Sequence, residues 1–238
     1  MAAPTRAYSI VLDWLEARLR SGEISVGDKL PAERQLAEDF GISRASVREA
    51  IRVLDAMGLV RSSTGSGPNA GAVVISEPSA ALAWALRMHV ATRSLPVRDI
   101  VNTRVLLETQ SALEAAVAPD SDLRESCLAR AGYLLGLMDN PELPADEFHR
   151  YDAEFHILLA SLTGNVVVET MMDSLRQATI GYVQETVAAV SHWPEISRSL
   201  QEQHHRIFHA VRERRGEDAS LALEEHILWF YSLLPNRD

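Results

Sequence analysis

Apolar positions at helical spacing open the chain. Tyr8, Val11, Leu12, Leu15 and Leu19 fall on one face of a helix, and Gly22 is placed to end it. A turn-rich stretch from Gly22 to Pro31 follows, and Pro31 suits the first turn of a second helix over Ala32–Phe40, where its missing N–H is harmless. Gly41 closes that helix, and Ser43 is an N-cap for a third running to about Met57. Val47, Ile51 and Leu54 mark the buried face of this third helix. Two short apolar strands, Leu59–Arg61 and Val73–Ile75, flank the Ser- and Gly-rich segment 62–71. Three helices and a small hairpin predict a winged helix-turn-helix.

Beyond Glu77-Pro78 the strand signal disappears. Helical stretches are expected at about 78–93, 96–118, 120–139, 145–162, 165–190, 194–214 and 216–234, punctuated by Pro96, Pro119, Pro141, Pro144, Gly164, Pro194 and Gly216. The fold class is therefore mainly α. A winged helix over residues 1–76 precedes an all-α helical bundle of about seven helices over 77–238. The apolar set Leu82, Trp84, Leu86, Met88 and Val90 fits helix packing or a dimer face better than a cofactor groove.

Composition adds boundaries. A single cysteine, Cys127, excludes an internal disulfide and fits a reducing, cytoplasmic location. Residues 1–8 lack a signal-peptide core, and no apolar run approaches the roughly 20 residues that span a bilayer, so no membrane partner is expected. The net charge of −10 runs against nucleic-acid binding, but residues 1–76 carry nine basic and nine acidic side chains. The whole acidic excess lies in the second segment. A neutral first segment can still hold DNA if its arginines share a face.

That face is readable. Arg44 and Arg48 stand one turn apart on the solvent side of the third helix, where arginine can fork onto guanine in the major groove. Ser43 and Ser46 can reach phosphates or base edges, and Arg34 on the preceding helix can grip the backbone. The run Leu30-Pro-Ala-Glu-Arg-Gln-Leu-Ala37, the turn Gly41-Ile-Ser-Arg44, and Val47-Arg-Glu-Ala-Ile-Arg-Val-Leu54 followed by Gly58-Leu-Val60 closely resemble the GntR family of bacterial regulators. The resemblance implies that Arg34, Arg44 and Arg48 contact double-stranded DNA, with Gly65-Ser66-Gly67 at the wing tip entering the minor groove. The extension Pro68-Asn69-Ala70-Gly71 departs from the commoner short wing. Two recognition helices on a palindromic operator require a homodimer.

All eight histidines lie beyond residue 88. Asp152 and His156 stand at i, i+4 on one helix, His204, His205 and His209 cluster on a later one, and His226 sits in the last. An aspartate and three imidazoles from three helices suit a borderline divalent ion such as Zn²⁺, with Ni²⁺ or Mn²⁺ as alternatives. Helical register does not choose among His204, His205 and His209. The stretch Asp152-Ala-Glu-Phe-His156 running on to Gly164-Asn165, with His205-Arg206-Ile207, Gly216-Glu-Asp218 and Glu225-His226, resembles the FCD effector domain that follows GntR winged helices in the FadR-like subgroup. Arg104-Val-Leu-Leu-Glu108 is similar to its early motif. The resemblance implies Asp152, His156, His205 and His226 as metal ligands, and Arg104 and Asn165 as contacts to a small-molecule effector, an organic acid. An ion pair between Arg104 and Glu108 competes with that role. The expected protein is a ligand-responsive repressor and not an enzyme. A metal-dependent hydrolase with an accessory DNA-binding module is the alternative, weakened by the lack of a recognisable general base or nucleophile motif.

Overall fold

A computed structural model describes residues 8–63, 71–180, 183 and 193–233. The chain separates into two compact units, Met1–Ala81 and Leu82–Asp238.

In the first unit, α1 (Ser9–Ser21), α2 (Glu33–Phe40) and α3 (Arg44–Ala56) precede β1 (Val60–Ser63) and β2 (Gly71–Val74). Gly22 and Gly41 end α1 and α2 in the left-handed region, at φ 75° and 61°, which glycine enters without a Cβ clash. Val11, Leu15, Leu36, Val47, Ile51 and Leu54 form the core and bury Val60 and Val74 with them. The hairpin is antiparallel, pairing Val60 with Val74 and Ser63 with Gly71. The turn-rich stretch holds a pairing the sequence pattern concealed. Leu30 N–H donates to Ala72 O at 2.8 Å, and Val74 N–H donates to Asp28 O at 2.8 Å, so 28–30 lies along β2. This relocates Pro31. Helix α2 starts at Glu33 with Ala32 as its cap, and Pro31 precedes the helix, where it holds Leu30 extended for that pairing.

The first unit reaches past the expected division after residue 76. Glu77 N–H donates to Gly58 O at 2.9 Å, Arg61 pairs with the Glu77 carboxylate, and Gly58 has φ 68°. A Cβ on Gly58 would stand 2.2 Å from Glu77 O, so backbone meets backbone there without room for a side chain.

Helix α4 (Pro78–Ala91) is followed by α5 (Val97–Val117), α6 (Asp122–Met138), α7 (Ala145–Ser161), α8 (Val166–Ala178), α9 (Trp193–Arg212) and α10 (Gly216–Ser232). Among the described residues the only sheet is the small hairpin. Helix α5 packs along α10, α9 on α10, α6 on α7, and α7 on α8. Phe148, Phe155, Leu134, Met138, Leu159, Leu200, Ile207 and Leu223 fill the space between them. Arg124, buried, donates to Ala115 O at 2.5 Å and Val211 O at 3.1 Å, which ties together the C-terminal ends of α5 and α9. Within the stretch expected over 165–190, α8 ends at Ala178. Thr179 caps α8, its hydroxyl donating to Leu175 O and Arg176 O. Of the remainder expected to reach 190, residues 181–182 and 184–190 lie outside the described residues.

Candidate metal centre and DNA-reading face

Four side chains from three helices converge inside the second unit. Asp152 and His156 project from one face of α7, His204 from α9 and His226 from α10. One ligand atom from each lies within 4.8 Å of all the others. Asp152 Oδ1 is the hub. It stands 2.8 Å from His204 Nε2, 3.6 Å from His156 Nε2 and 3.9 Å from His226 Nε2. All three imidazoles are buried.

A second ring of groups orients these ligands. His226 Nδ1–H donates to Gln203 Oε1 at 2.9 Å, which leaves its Nε2 lone pair facing Asp152. His156 Nδ1 lies 2.6 Å from Glu108 Oε2, the carboxylate–histidine pairing that commonly stands behind metal-bound imidazole. That contact is close but not aligned as a hydrogen bond, and His156 Nδ1, His156 Nε2 and His204 Nδ1 are all buried without a hydrogen-bond partner among the described residues. Glu108 is gripped in turn by Arg104 Nε at 2.9 Å and Arg176 Nη2 at 2.8 Å. Arg176 Nη1 continues to Asp152 Oδ2 at 3.0 Å, joining both carboxylates through one guanidinium.

The network sets the protonation states. Burial by itself would raise Asp152, but His156, the His204 hydrogen bond and Arg176 hold it well below the ordinary carboxyl range. Burial likewise opposes ionisation of Glu108, and Arg176, Arg104 and His156 outweigh it. Burial lowers His204 against the pull of Asp152. Burial, with His204 and His156 as neighbours, takes His226 well below its usual value. An ionised carboxylate beside neutral imidazoles is the form that ligates metal. His156 Nε2 makes the same point: it is buried without a hydrogen-bond partner, 3.6 Å from Asp152 Oδ1, and with Nδ1–H toward Glu108 its lone pair needs an electrophile or a proton donor. Asp152, His156, His204 and His226 can therefore hold a divalent ion.

A cavity of about 290 Å³ opens beside this cluster. Asp152 and His226 form part of its wall, and Arg104, Arg150 and Arg176 bring cationic groups to it, with Ile180, Ile227 and Phe230 apolar.

The structure assembles the expected ligand set with one exchange. Asp152, His156 and His226 meet as the sequence suggested, but the α9 member is His204. His205 lies on the surface, 39% exposed, with its Nε2 3.0 Å from Asp139. One residue along a helix turns the side chain by about 100°, and only His204 falls on the stripe of Leu200, Ile207, Phe208 and Val211 that α9 buries. Asn165 is also displaced from its expected role. It is exposed, it accepts from Val167 N–H at 3.1 Å and Val168 N–H at 3.3 Å as the N-cap of α8, and it does not line the cavity. Arg104 faces the cavity and also pairs with Glu108. Sequence reasoning missed Arg176 and Gln203. Glu108 it reached only as an ion-pair partner. Their positions on the inner stripes of their helices were the available signal.

In the first unit, Ser43 caps α3 by accepting from Ser46 N–H at 3.1 Å, and its hydroxyl lies 2.9 Å from that of Ser46. Arg44 and Arg48 are exposed on the following turns of α3. Arg48 reaches back to Glu33 at the start of α2, with Nη2 3.0 Å and Nε 3.3 Å from Oε2, and that contact raises its pKa. Arg34 pairs loosely with Glu38 at 3.5 Å. Gly65, Ser66 and Gly67 lie outside the described residues.

A two-helix reading head with exposed arginines, followed by a helical unit enclosing a cavity with apolar and cationic walls, defines a DNA-binding regulator of the effector-responsive kind. Residues 7–68 match the model for "Bacterial regulatory proteins, gntR family", and residues 99–228, more than half the chain, match the FCD domain. The chain belongs to the GntR family of transcriptional regulators and carries an FCD domain. It is 31% identical to the HTH-type transcriptional regulator LutR of Bacillus subtilis over 88% of this chain and 92% of that one. It is 26% identical to the Glc operon transcriptional activator of Escherichia coli, covering 92% and 85%. The fold matches that of Streptococcus agalactiae GntR with a TM-score of 0.60 at 24% identity, covering 93% and 95%. These families and relatives are regulators of transcription, and the hydrolase alternative finds no support among them. Among the described residues no helix is long and apolar enough to cross a membrane.

Proposed function

We propose that this chain is a metal-containing, carboxylate-responsive repressor that binds a palindromic operator as a homodimer. The division of labour is the one expected from the sequence, with residues 1–76 reading DNA and 77–238 sensing and dimerising. One observation carries the reading: three buried imidazoles and an ionised Asp152 converge on one point beside a cavity lined by three arginines. Asp152, His156, His204 and His226 would hold the ion. Three imidazoles with one carboxylate favour Zn²⁺, with Ni²⁺ and Mn²⁺ as alternatives. When bound, the metal supplies an electrophilic position for a carboxylate oxygen. Arg150 would pair with the rest of an organic acid, in the positive field of Arg104 and Arg176, which stay on their carboxylates, while Ile227 and Phe230 limit its size.

On the DNA side, Arg44 and Arg48 would take base edges, Arg34, Ser43 and Ser46 the backbone, and the wing segment 65–67 the minor groove. Repression needs only that a bound dimer exclude polymerase, whereas activation needs a further contact surface. Exposed Leu82, Trp84 and Met88 on α4 offer apolar area for a partner copy.

The test begins with a duplex selected from a random pool by the purified protein. Its affinity is then measured with zinc-loaded and metal-stripped protein, against a panel of mono-, di- and tricarboxylates. One carboxylate should weaken binding by about 5- to 150-fold, the usual span of allosteric coupling, in the loaded protein alone. A panel that leaves affinity unchanged in both forms would sink the sensing reading, and a monomer on sedimentation would sink the palindrome.

A further inference from the structure

We infer that Glu33 is a specificity-determining residue: it fixes the Arg48 guanidinium so that one edge of the fork is presented to a base pair. The inference rests on Arg48 being a base contact. Glu33 is the first residue of α2 and Arg48 sits one turn into α3. The contact therefore spans the two helices of the reading motif.

The geometry is particular. Glu33 Oε2 takes Nε at 3.3 Å and Nη2 at 3.0 Å, with Oε1 3.5 Å from Nε. Those two nitrogens form the lateral edge of the guanidinium. The terminal edge, made by Nη1 and the second hydrogen of Nη2, is left over, and Nη1 has no partner among the described residues. A terminal edge is what forks onto guanine O6 and N7. Arginine has a long side chain rich in rotamers, and an arginine on a helix surface samples many directions. Glu33 removes much of that freedom before DNA arrives. Both side chains remain substantially exposed, at 56% and 37%, so the pair does not serve packing. A bare exposed ion pair contributes little stability, which leaves orientation as its effect.

Glu33 also carries a negative charge toward a surface meant for phosphates. Removing it relieves repulsion and should raise affinity for any duplex. Loss of orientation lowers the ratio of specific to non-specific binding, whereas loss of the charge raises both affinities and leaves the ratio unchanged, which makes the residue testable.

The test uses the full chain and sites selected from a random duplex pool, repeated with wild type, Arg48→Ala, Glu33→Gln and Glu33→Asp. Arg48→Ala should erase preference at one base pair per half-site. Glu33→Gln should weaken preference at that same pair by at least about fivefold, the lower end for a bidentate contact, and leave other positions as in wild type. Its affinity for poly(dI-dC) should rise. Glu33→Asp, which keeps the charge but shortens the arm, should reproduce the loss of base preference without the rise in non-specific affinity. Unchanged preference at the Arg48 pair in both Glu33 variants would overturn the assignment and leave Glu33 as a charge alone. Sharper preference and tighter specific binding in Glu33→Gln would also overturn it, by making Glu33 a competitor of DNA. If Arg48→Ala alters no position, the reading of Arg48 itself fails, and the proposal falls with it.

Discussion

Arginines do opposite work in the two units. In the reading head Arg34 and Arg52 lie at the surface, and their acidic partners Glu38 and Glu49 are exposed too. Pairs of that kind contribute about 0–1 kcal/mol, so a phosphate can replace the partner at small cost. In the helical unit Arg104 and Arg176 are 8% and 6% exposed, locked between Glu108 and Asp152. Removing water from each such ion costs several kcal/mol, and the network offsets this only while it is complete. The first set is built to exchange partners and the second to keep them.

Breaking the buried set should show this most strongly. Arg176→Met leaves Glu108 and Asp152 undercompensated, and truncating one partner of a buried ion pair costs about 3–5 kcal/mol. Denaturant unfolding of the variant measures it, and a loss below about 1 kcal/mol would place these groups in the same class as the surface pairs.

The metal comes next. An ion bound only by the folded chain adds about 4 kcal/mol at a thousandfold excess over its Kd, so chelation should lower the melting temperature. His204→Ala should abolish that sensitivity and His205→Ala should keep it, which separates the two adjacent histidines. The pH response has a definite sign. Burial holds folded His204 and His226 below their ordinary 6.5, so below about pH 6.5 the unfolded chain takes up protons that the folded chain refuses. Stability present at pH 7.5 should therefore fall by pH 5.5, and fall further in the metal-loaded form. Asp152 and Glu108 are depressed, so their contribution persists through this range and is lost only at lower pH, below the ordinary carboxyl values of 3.8 and 4.5. Melting curves at the two pH values, with and without chelator, decide it.

Surface changes in the reading head should act on binding and spare folding. Arg44→Ala should cost about 1–3 kcal/mol at a selected duplex and relax preference at one position, with its unfolding curve unchanged. Smallest is Asn165→Ala, which removes the α8 cap for about 1 kcal/mol of stability. It should leave effector response intact, whereas an effector contact would lose it.

Most of the fold was legible because its signals are local. Gly22, Gly41 and Ser43 end or start helices through their own backbone and hydroxyl chemistry, and apolar spacing located six of the seven later helices to within a few residues. The site was legible where ligands share a helix turn, as Asp152 and His156 do. It was not legible where the choice depended on rotation about α9. A pair of adjacent histidines satisfies any motif equally, and the buried stripe from Leu200 to Val211 decides between them. Arg176 escaped because a charged residue on an inner face runs against ordinary hydropathy, and its justification is Glu108, 68 positions away. Leu30 and its pairing with β2 escaped for the same reason, since a bridge of one or two residues leaves no periodicity.

The seam between Gly58 and Glu77 bears on how hybrid regulators are made from this chain. A junction placed at residue 76, where the pattern of helices and strands invites it, would hand Glu77 to the incoming sequence. The graft would then lose the Arg61 partner, and whichever backbone followed would have to reproduce the close approach over a glycine held at φ 68°. Keeping residues through Ala81 with the donor reading head preserves that joint and moves the splice into a helix, where register can be matched by whole turns.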